Sequence, residues 1–385
     1  MAEAGTVDIE NQFDIEIARD IDAIEGDWER LEKNGLLTPF QTRSWLGPFY
    51  RELAPRLNTK PLFVVVREKR TGAPAMLLPL CARKYWGVTV IQFADLGVSD
   101  YNAPILAKNF DPSPSQWRRL WLRILASFRF GSILRLKNMP RLIGGRANPM
   151  ALDDNFSKRM EIASWGFKLP ASATEYRTRV LQSSFAKELA KKSRRVAKRG
   201  KAEFVIAQTP DGRRAAFDLL ARQRQARCDE MGRKNILAQD AYRRFYEAAA
   251  VDSSEGLVSL AQLKVGGEPV GAMLALNHDN AFHVLMSTFE GGEWKSCSLG
   301  NVLILASIEH CIANGVGFFD LTLGNEGYKE NFGATPSPLY SAVQPLTLLG
   351  VPVASALAFA VFVKTAFERR IERIKLKKPS RLHAG

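Results

Sequence analysis

Residues 256–288 read GLVSLAQLKVGGEPVGAMLALNHDNAFHVLMST. The apolar Gly256–Val265 predicts a strand, and Gly266-Gly267-Glu268-Pro269 supplies the residues of a turn. Val270–Asn277 and Ala281–Thr288 give two more strands. A helix over Gly300–Asn314 ends in Gly315, and Val316–Leu323 follows as a last strand. A similar order stands 195 residues earlier. There Pro61–Arg67 is a strand, Thr71-Gly72-Ala73-Pro74 a turn, and Ala75–Ala82 and Val88–Phe93 two further strands. The period is far too long for a solenoid and predicts two copies of one mixed α/β domain. Hairpins with Gly and Pro turns are common, so recurrence alone leaves coincidence open.

Outward from these strands, Phe13–Ile17 predicts a strand and Ile21–Lys33 an amphipathic helix with Ile21, Ile24, Trp28 and Leu31 on one face. Further helices are expected over Trp117–Phe128, Asp218–Met231 and Asp240–Val251. Another starts at Ser184 as cap and runs to Gly200, which suits the left-handed position after a helix. The division expected is 1–170, 171–345 and a tail of 346–385.

The chain has 385 residues, 46% hydrophobic and 24% charged, which excludes global disorder and a disulfide-stapled miniprotein. Its four cysteines form no C-x-x-C pair and no histidine cluster joins them, so no metal site and a reducing compartment are expected. The net charge of +14 is concentrated: Lys187–Lys201 carries +7 and Lys364–Arg381 carries +6. The first 32 residues carry −9, and this acidic start without an apolar core is not a secretory signal. Localised charge points to specific surfaces rather than general polyanion coating.

Ser184-Phe-Ala-Lys-Glu-Leu, Ser298-Leu-Gly-Asn and above all Phe319-Asp-Leu-x-x-Gly324-x-Glu326-x-Tyr328-Lys329-x-x-Phe332 resemble the tandem GNAT-type acetyltransferases of the CelD/BcsL-like group, associated with cellulose biosynthesis. Phe40-Gln41-x-x-x-Trp45 and Ser99-Asp100-Tyr101-Asn102 are similar to that group's N-terminal landmarks. The likeness spans about Phe13–Pro345. It implies an α/β fold of two tandem GNAT-like domains, acetyl-CoA or another acyl-CoA as donor, and a small-molecule or saccharide acceptor bearing an amine or hydroxyl. Tyr328-Lys-Glu-Asn-Phe-Gly333 is also similar to an element of the FemABX transferases, which take an aminoacyl group from tRNA. A retired, membrane-linked partner in polysaccharide assembly is the non-enzymatic alternative. It stays open because the usual pyrophosphate pattern of a basic or amide residue before G-x-G or G-x-A is not intact.

A pyrophosphate needs free N–H groups at a helix start, and Ser298, Leu299, Gly300 and Asn301 stand where such a cradle would be. An ordinary capped helix start fits the same residues. Lys191 and Arg195, on one face of the basic helix, are candidates for the donor's phosphates. That stripe lacks interleaved aromatics, so sequence-specific nucleic-acid binding is not expected. Asp320 ends a strand, and Gly324 permits a turn bringing Glu326, Tyr328 and Lys329 to one rim. The expected roles are Glu326 as base, Tyr328 as acid to the leaving thiolate and Lys329 at the oxyanion. Asp100, Tyr101 and Asn102, with Asp320, are candidate acceptor contacts. His278, His283, His310 and His383 are assigned no role. Residues Leu346–Val363 are apolar but too interrupted by Gly350 and Pro352 for a full span. The basic stretch beyond fits either an interfacial helix on anionic lipid or a helix packed on the domains. The expected location is cytoplasmic, with peripheral contact at the inner membrane face through this tail.

Overall fold

The computed structural model describes residues 12–128, 130–251 and 256–356. Twelve strands carry the architecture. The first six are β1 (Phe13–Ala18), β2 (Thr59–Glu68), β3 (Pro74–Tyr85), β4 (Val88–Phe93), β5 (Ile133–Pro140) and β6 (Lys158–Lys168). The others are β7 (Ala202–Ile206), β8 (Val258–Val265), β9 (Glu268–His278), β10 (Ala281–Phe289), β11 (Phe318–Leu323) and β12 (Thr335–Pro345). They form one continuous sheet in the order β1-β2-β3-β4-β5-β12-β6-β11-β10-β9-β8-β7, with two short strands attached beside β3.

The order is symmetric about its centre. Each half has four antiparallel strands, then one parallel pair, β4 with β5 and β10 with β11. Each half then takes its sixth strand from the other. β12, last in the chain, pairs with β5, while β6, which follows β5, pairs with β11. The two exchanged strands pair with each other at the middle of the sheet. The expected boundary at residue 170 therefore divides the chain but not the sheet.

Helices cover both faces: α1 (Glu25–Asn34), α2 (Pro114–Ser127), α3 (Ser183–Ala197), α4 (Pro210–Glu230), α5 (Asp240–Ala250) and α6 (Leu299–Ala313). One apolar core joins the halves, with Trp45 of the first packed edge-on against Phe245 of the second at 5.0 Å. Three expectations are corrected. α3 starts after Gln182 with no side-chain cap, so Ser184 lies inside it. α4 starts eight residues before Asp218. Thr209 caps it by accepting from the Gly212 N–H at 3.1 Å, and Pro210 takes the first position, where a missing N–H costs nothing. The region expected as one helix from Ile21 opens with a separate 3-10 turn, Asp22–Ile24. No helix among the described residues is long and apolar enough to cross a membrane. Of the expected tail of 346–385, residues 357–385, with the whole of its basic helix, lie outside the described residues.

Candidate functional site

The parallel pair β10/β11 is hydrogen-bonded in register from Ala281↔Phe318 to His283↔Asp320, and there the pairing ends. Thr322 marks the divergence: its φ is +53°, unusual for a β-branched residue, and its hydroxyl donates to the Val284 carbonyl at 2.9 Å. Such a backbone persists only where its surroundings hold it. Here the Thr322 N–H donates to Asp320 Oδ1 at 2.7 Å, and Lys329 Nζ donates to the Thr322 and Leu323 carbonyls at 3.4 and 2.6 Å.

Asp320 is the hub. Besides Thr322 it accepts from the Tyr101 hydroxyl at 2.8 and 2.9 Å, and His283 Nδ1 lies 2.8 Å from Oδ2. Tyr101 belongs to the first half, so both halves build this buried cluster. Burial and the Asp320 charge push the Tyr101 phenol well above its ordinary value. The landmarks of the first half brace the Tyr101 loop: Gln41 Nε2 donates to the Tyr101 carbonyl at 2.9 Å, and Trp45 Nε1 to Ser99 Oγ at 3.2 Å. Asn102 serves the same loop, donating to Asp95 at 2.9 Å and to the Lys137 carbonyl at 3.2 Å. Its buried amide is spent on the loop, so the expected acceptor contact is not one it can make in this conformation. Asp100 carries a carboxyl pushed up to about 6, first by burial and then by Asp320 and Asp95, against a hydrogen bond from Thr322.

Two cavities flank this junction. One, of about 340 Å³, opens between the halves and is lined by Tyr101, His283 and Asp320 together with Pro39, Leu142 and Phe318. The other, of about 310 Å³, lies at the start of α6 and is lined by Arg227, Phe289, Ser298, Gly300, Asn301 and Tyr328. Ser298 sits in the left-handed region at φ +51° and its side chain makes no cap bond, which leaves the first N–H groups of α6 open. Arg195 and Lys192 donate to the Ser296 carbonyl just before this start, at 3.2 and 3.1 Å. Lys192, rather than the expected and exposed Lys191, reaches the loop. The helix N–H groups, Asn301 and Arg227 form a donor set suited to a pyrophosphate, with Arg195 and Lys192 held on the loop just outside the cavity. Leu299 can add only its backbone, because its side chain is buried. Gly300 is required by its neighbour, since a Cβ there would stand 2.6 Å from the Phe289 ring.

The corresponding helix start in the first half is closed. Ser113 and Gln116 cap each other's N–H groups in front of α2. The cavity beside it is rimmed by Asp111, Asp153 and Asp154, and its Arg146 and Arg118 pair with the first two.

The expected catalytic rim divides. Tyr328 lines the α6 cavity, and burial followed by Glu326 pushes its phenol up to about 12, so it holds its proton at neutral pH. Lys329 is 2% exposed, and Leu323, Thr322 and Glu326 (3.1 Å) take its three N–H bonds. In this conformation none is left for an oxyanion. The Glu326 side chain is 58% exposed, folds back over Gly324 and lines neither cavity. Sequence reading gave His283 no role, and its contact with Asp320, 37 residues away on the neighbouring strand, carries no local signal.

Residues 183–330 match the family model described as an acetyltransferase (GNAT) domain. Three solved structures resemble the chain along most of their lengths. FemX is 9% identical with a TM-score of 0.54, covering 84% of this chain and 96% of that one. The C-terminal domain of a putative lysylphosphatidylglycerol synthetase from Agrobacterium fabrum is 13% identical with a TM-score of 0.53, covering 87% and 96%. A tandem GNAT protein from the clavulanic acid biosynthesis pathway is 16% identical with a TM-score of 0.50, covering 87% and 99%. Among proteins of curated function none matches. The fold is a tandem GNAT-like α/β fold, and the matched domain with these neighbours supports an acyltransferase.

Proposed function

We propose that this chain transfers an acyl group from acyl-CoA to an amine or hydroxyl, with the donor in the second half and the acceptor between the halves. The observation that carries the reading is the divergence of β10 and β11 beyond His283 and Asp320, with an open helix start on one side and a second cavity on the other. A donor lying across this divergence would meet the open N–H groups at the start of α6. Arg227, Arg195, Lys192 and the N–H groups of α6 would hold its phosphates. An activated thioester is the chemistry the bound donor supplies. Tyr328 keeps its proton beside the α6 cavity and can hydrogen-bond to sulfur as negative charge develops there.

The closed, acid-rimmed helix start of the first half favours the second half as the donor site. On this reading the first half supplies Tyr101 and one wall of the acceptor pocket. A place in polysaccharide assembly and contact of the basic tail with anionic lipid are narrower parts of the proposal, resting on resemblance and charge alone. The test is calorimetric titration of the purified protein with acetyl-CoA and CoA, repeated with Arg227→Glu and Gly300→Glu. Binding lost in both variants supports the reading. Binding that survives both moves the donor elsewhere, and no binding to wild-type protein removes the acyl-CoA donor.

A further inference from the structure

We infer that His283, oriented by Asp320, accepts the proton of the attacking nucleophile, and that this nucleophile is carried on a largely apolar body bound between the two halves. The inference rests on the acyl-transfer reading above and names the proton acceptor and the acceptor class for it. His283 is 9% exposed, and its ring lines the cavity between the halves. Nδ1 faces Asp320 Oδ2 at 2.8 Å, so in the neutral ring Nδ1 carries the hydrogen and Nε2 the lone pair. Among the described residues Nε2 has no partner. His283 lines this cavity, so a donor entering there can reach Nε2.

Asp320 is a positioning residue. The Tyr101 hydroxyl, the Thr322 N–H and His283 take most of its acceptor capacity. Glu326 does not compete for the proton, because it lines neither cavity and pairs with Lys329.

The walls indicate the acceptor. Apolar atoms make most of the cavity surface, with Leu37, Pro39, Leu142 and Phe318 among their sources, while Arg141 and Asp279 add charge to the lining beside the Tyr101–Asp320–His283 cluster. A hydroxyl set against the apolar part of this surface would lose its water without gaining a partner. One nucleophilic group on a largely apolar body matches that surface and still reaches His283. In the step, His283 Nε2 takes the proton as the acceptor's oxygen or nitrogen bonds to the acyl carbon. The carbon–sulfur bond breaks with its electron pair on sulfur. The imidazolium then releases its proton to solvent, from which the thiolate is protonated.

The test combines three readouts. Thiol release from acetyl-CoA is followed with 2-phenylethanol, 2-phenylethylamine and glucose as acceptors. Acetyl-CoA binding is measured by calorimetry. The ring nitrogens of the four histidines are read by 15N NMR in the free protein. We expect His283→Gln to lower turnover with the phenylethyl acceptors at least ~100-fold, the size of general-base assistance, with acetyl-CoA affinity within twofold. Imidazole should partly restore His283→Ala. In the free protein the His283 ring should carry its hydrogen on Nδ1, and 2-phenylethanol should perturb Nε2. Which of the two phenylethyl acceptors turns over faster identifies a hydroxyl or an amine. Full turnover in His283→Gln, or a ring protonated on Nε2 alone, overturns the assignment, and glucose as the faster acceptor overturns the acceptor class. Failure of acetyl-CoA to bind wild-type protein sinks the donor reading instead. The tautomer and the perturbation by 2-phenylethanol are measured without donor and still decide the acceptor pocket.

Discussion

Replacing Asp100 by Asn should stabilise the protein at neutral pH and lose that advantage in acid. The carboxyl ordinarily titrates at 3.8, and burial beside Asp320 and Asp95 raises it to about 6. A raised carboxyl value means that the fold favours the protonated form. Its stabilising contribution is therefore complete below pH 3.8 and disappears as pH rises through 6. Two units at ~1.4 kcal/mol each put the cost of carrying the folded carboxylate at about 3 kcal/mol at pH 8, falling to about half of that at pH 5 and to well under ~1 kcal/mol at pH 4. Asn has nearly the shape of the carboxyl and carries no charge at any pH. Urea unfolding of wild type and Asp100→Asn across pH 4–8 measures the difference directly. The gap between the two proteins should widen by about 2 kcal/mol from pH 4 to pH 8, with the variant the more stable. A constant gap, or one widening toward acid, would refute the placement of Asp100 among buried carboxylates.

Tyr101→Phe removes a buried donor to Asp320 and should cost about 1–3 kcal/mol in urea unfolding, the range for a hydrogen bond to a charged group; no loss would mean the two halves are not joined there. Gly300→Ala forces a methyl against the Phe289 ring and should destabilise by about 1–3 kcal/mol, with Phe289→Leu recovering most of it in thermal unfolding. Lys329→Met leaves the Leu323 carbonyl without its donor and should cost about 1–3 kcal/mol. If acetyl-CoA titration of that variant shows unchanged affinity, Lys329 acts on the Thr322 turn and not on the donor.

The second half was legible because its information is consecutive: β8, β9 and β10 are apolar runs separated by two-residue turns, and α6 ends at Ala313, with Asn314 as its cap before Gly315. The same holds for Ser298, Gly300, Asn301 and Tyr328, which the fold brings to one cavity. Strands β5, β6, β7 and β12 went unread. β12 contains Pro336, Pro338 and Pro345, and β6 has charged residues at both ends, so neither has the apolar alternation that marks a strand. Their place in the sheet comes from partners far away in sequence. The Tyr101–Asp320–His283 cluster was illegible for the same reason, with 219 residues between its first two members. One clue was available. If two parallel strands start in register, His283 and Asp320 each stand two residues after the first paired position, on one face of the sheet.

The exchange of β6 and β12 carries a consequence for synthesis. A ribosome delivers β1 to β5 early, yet the neighbour that covers the inner edge of β5 is β12, some 200 residues later. Until then the first half waits with an open strand edge, the element most prone to pairing with a stranger. The centre of the sheet is sealed last, by a segment slotted between two strands already in place. Closure of so distant a pairing is slow, which exposes the growing chain to misassembly with its own copies. Neither half, produced alone at the boundary of residue 170, would carry the strand that completes it.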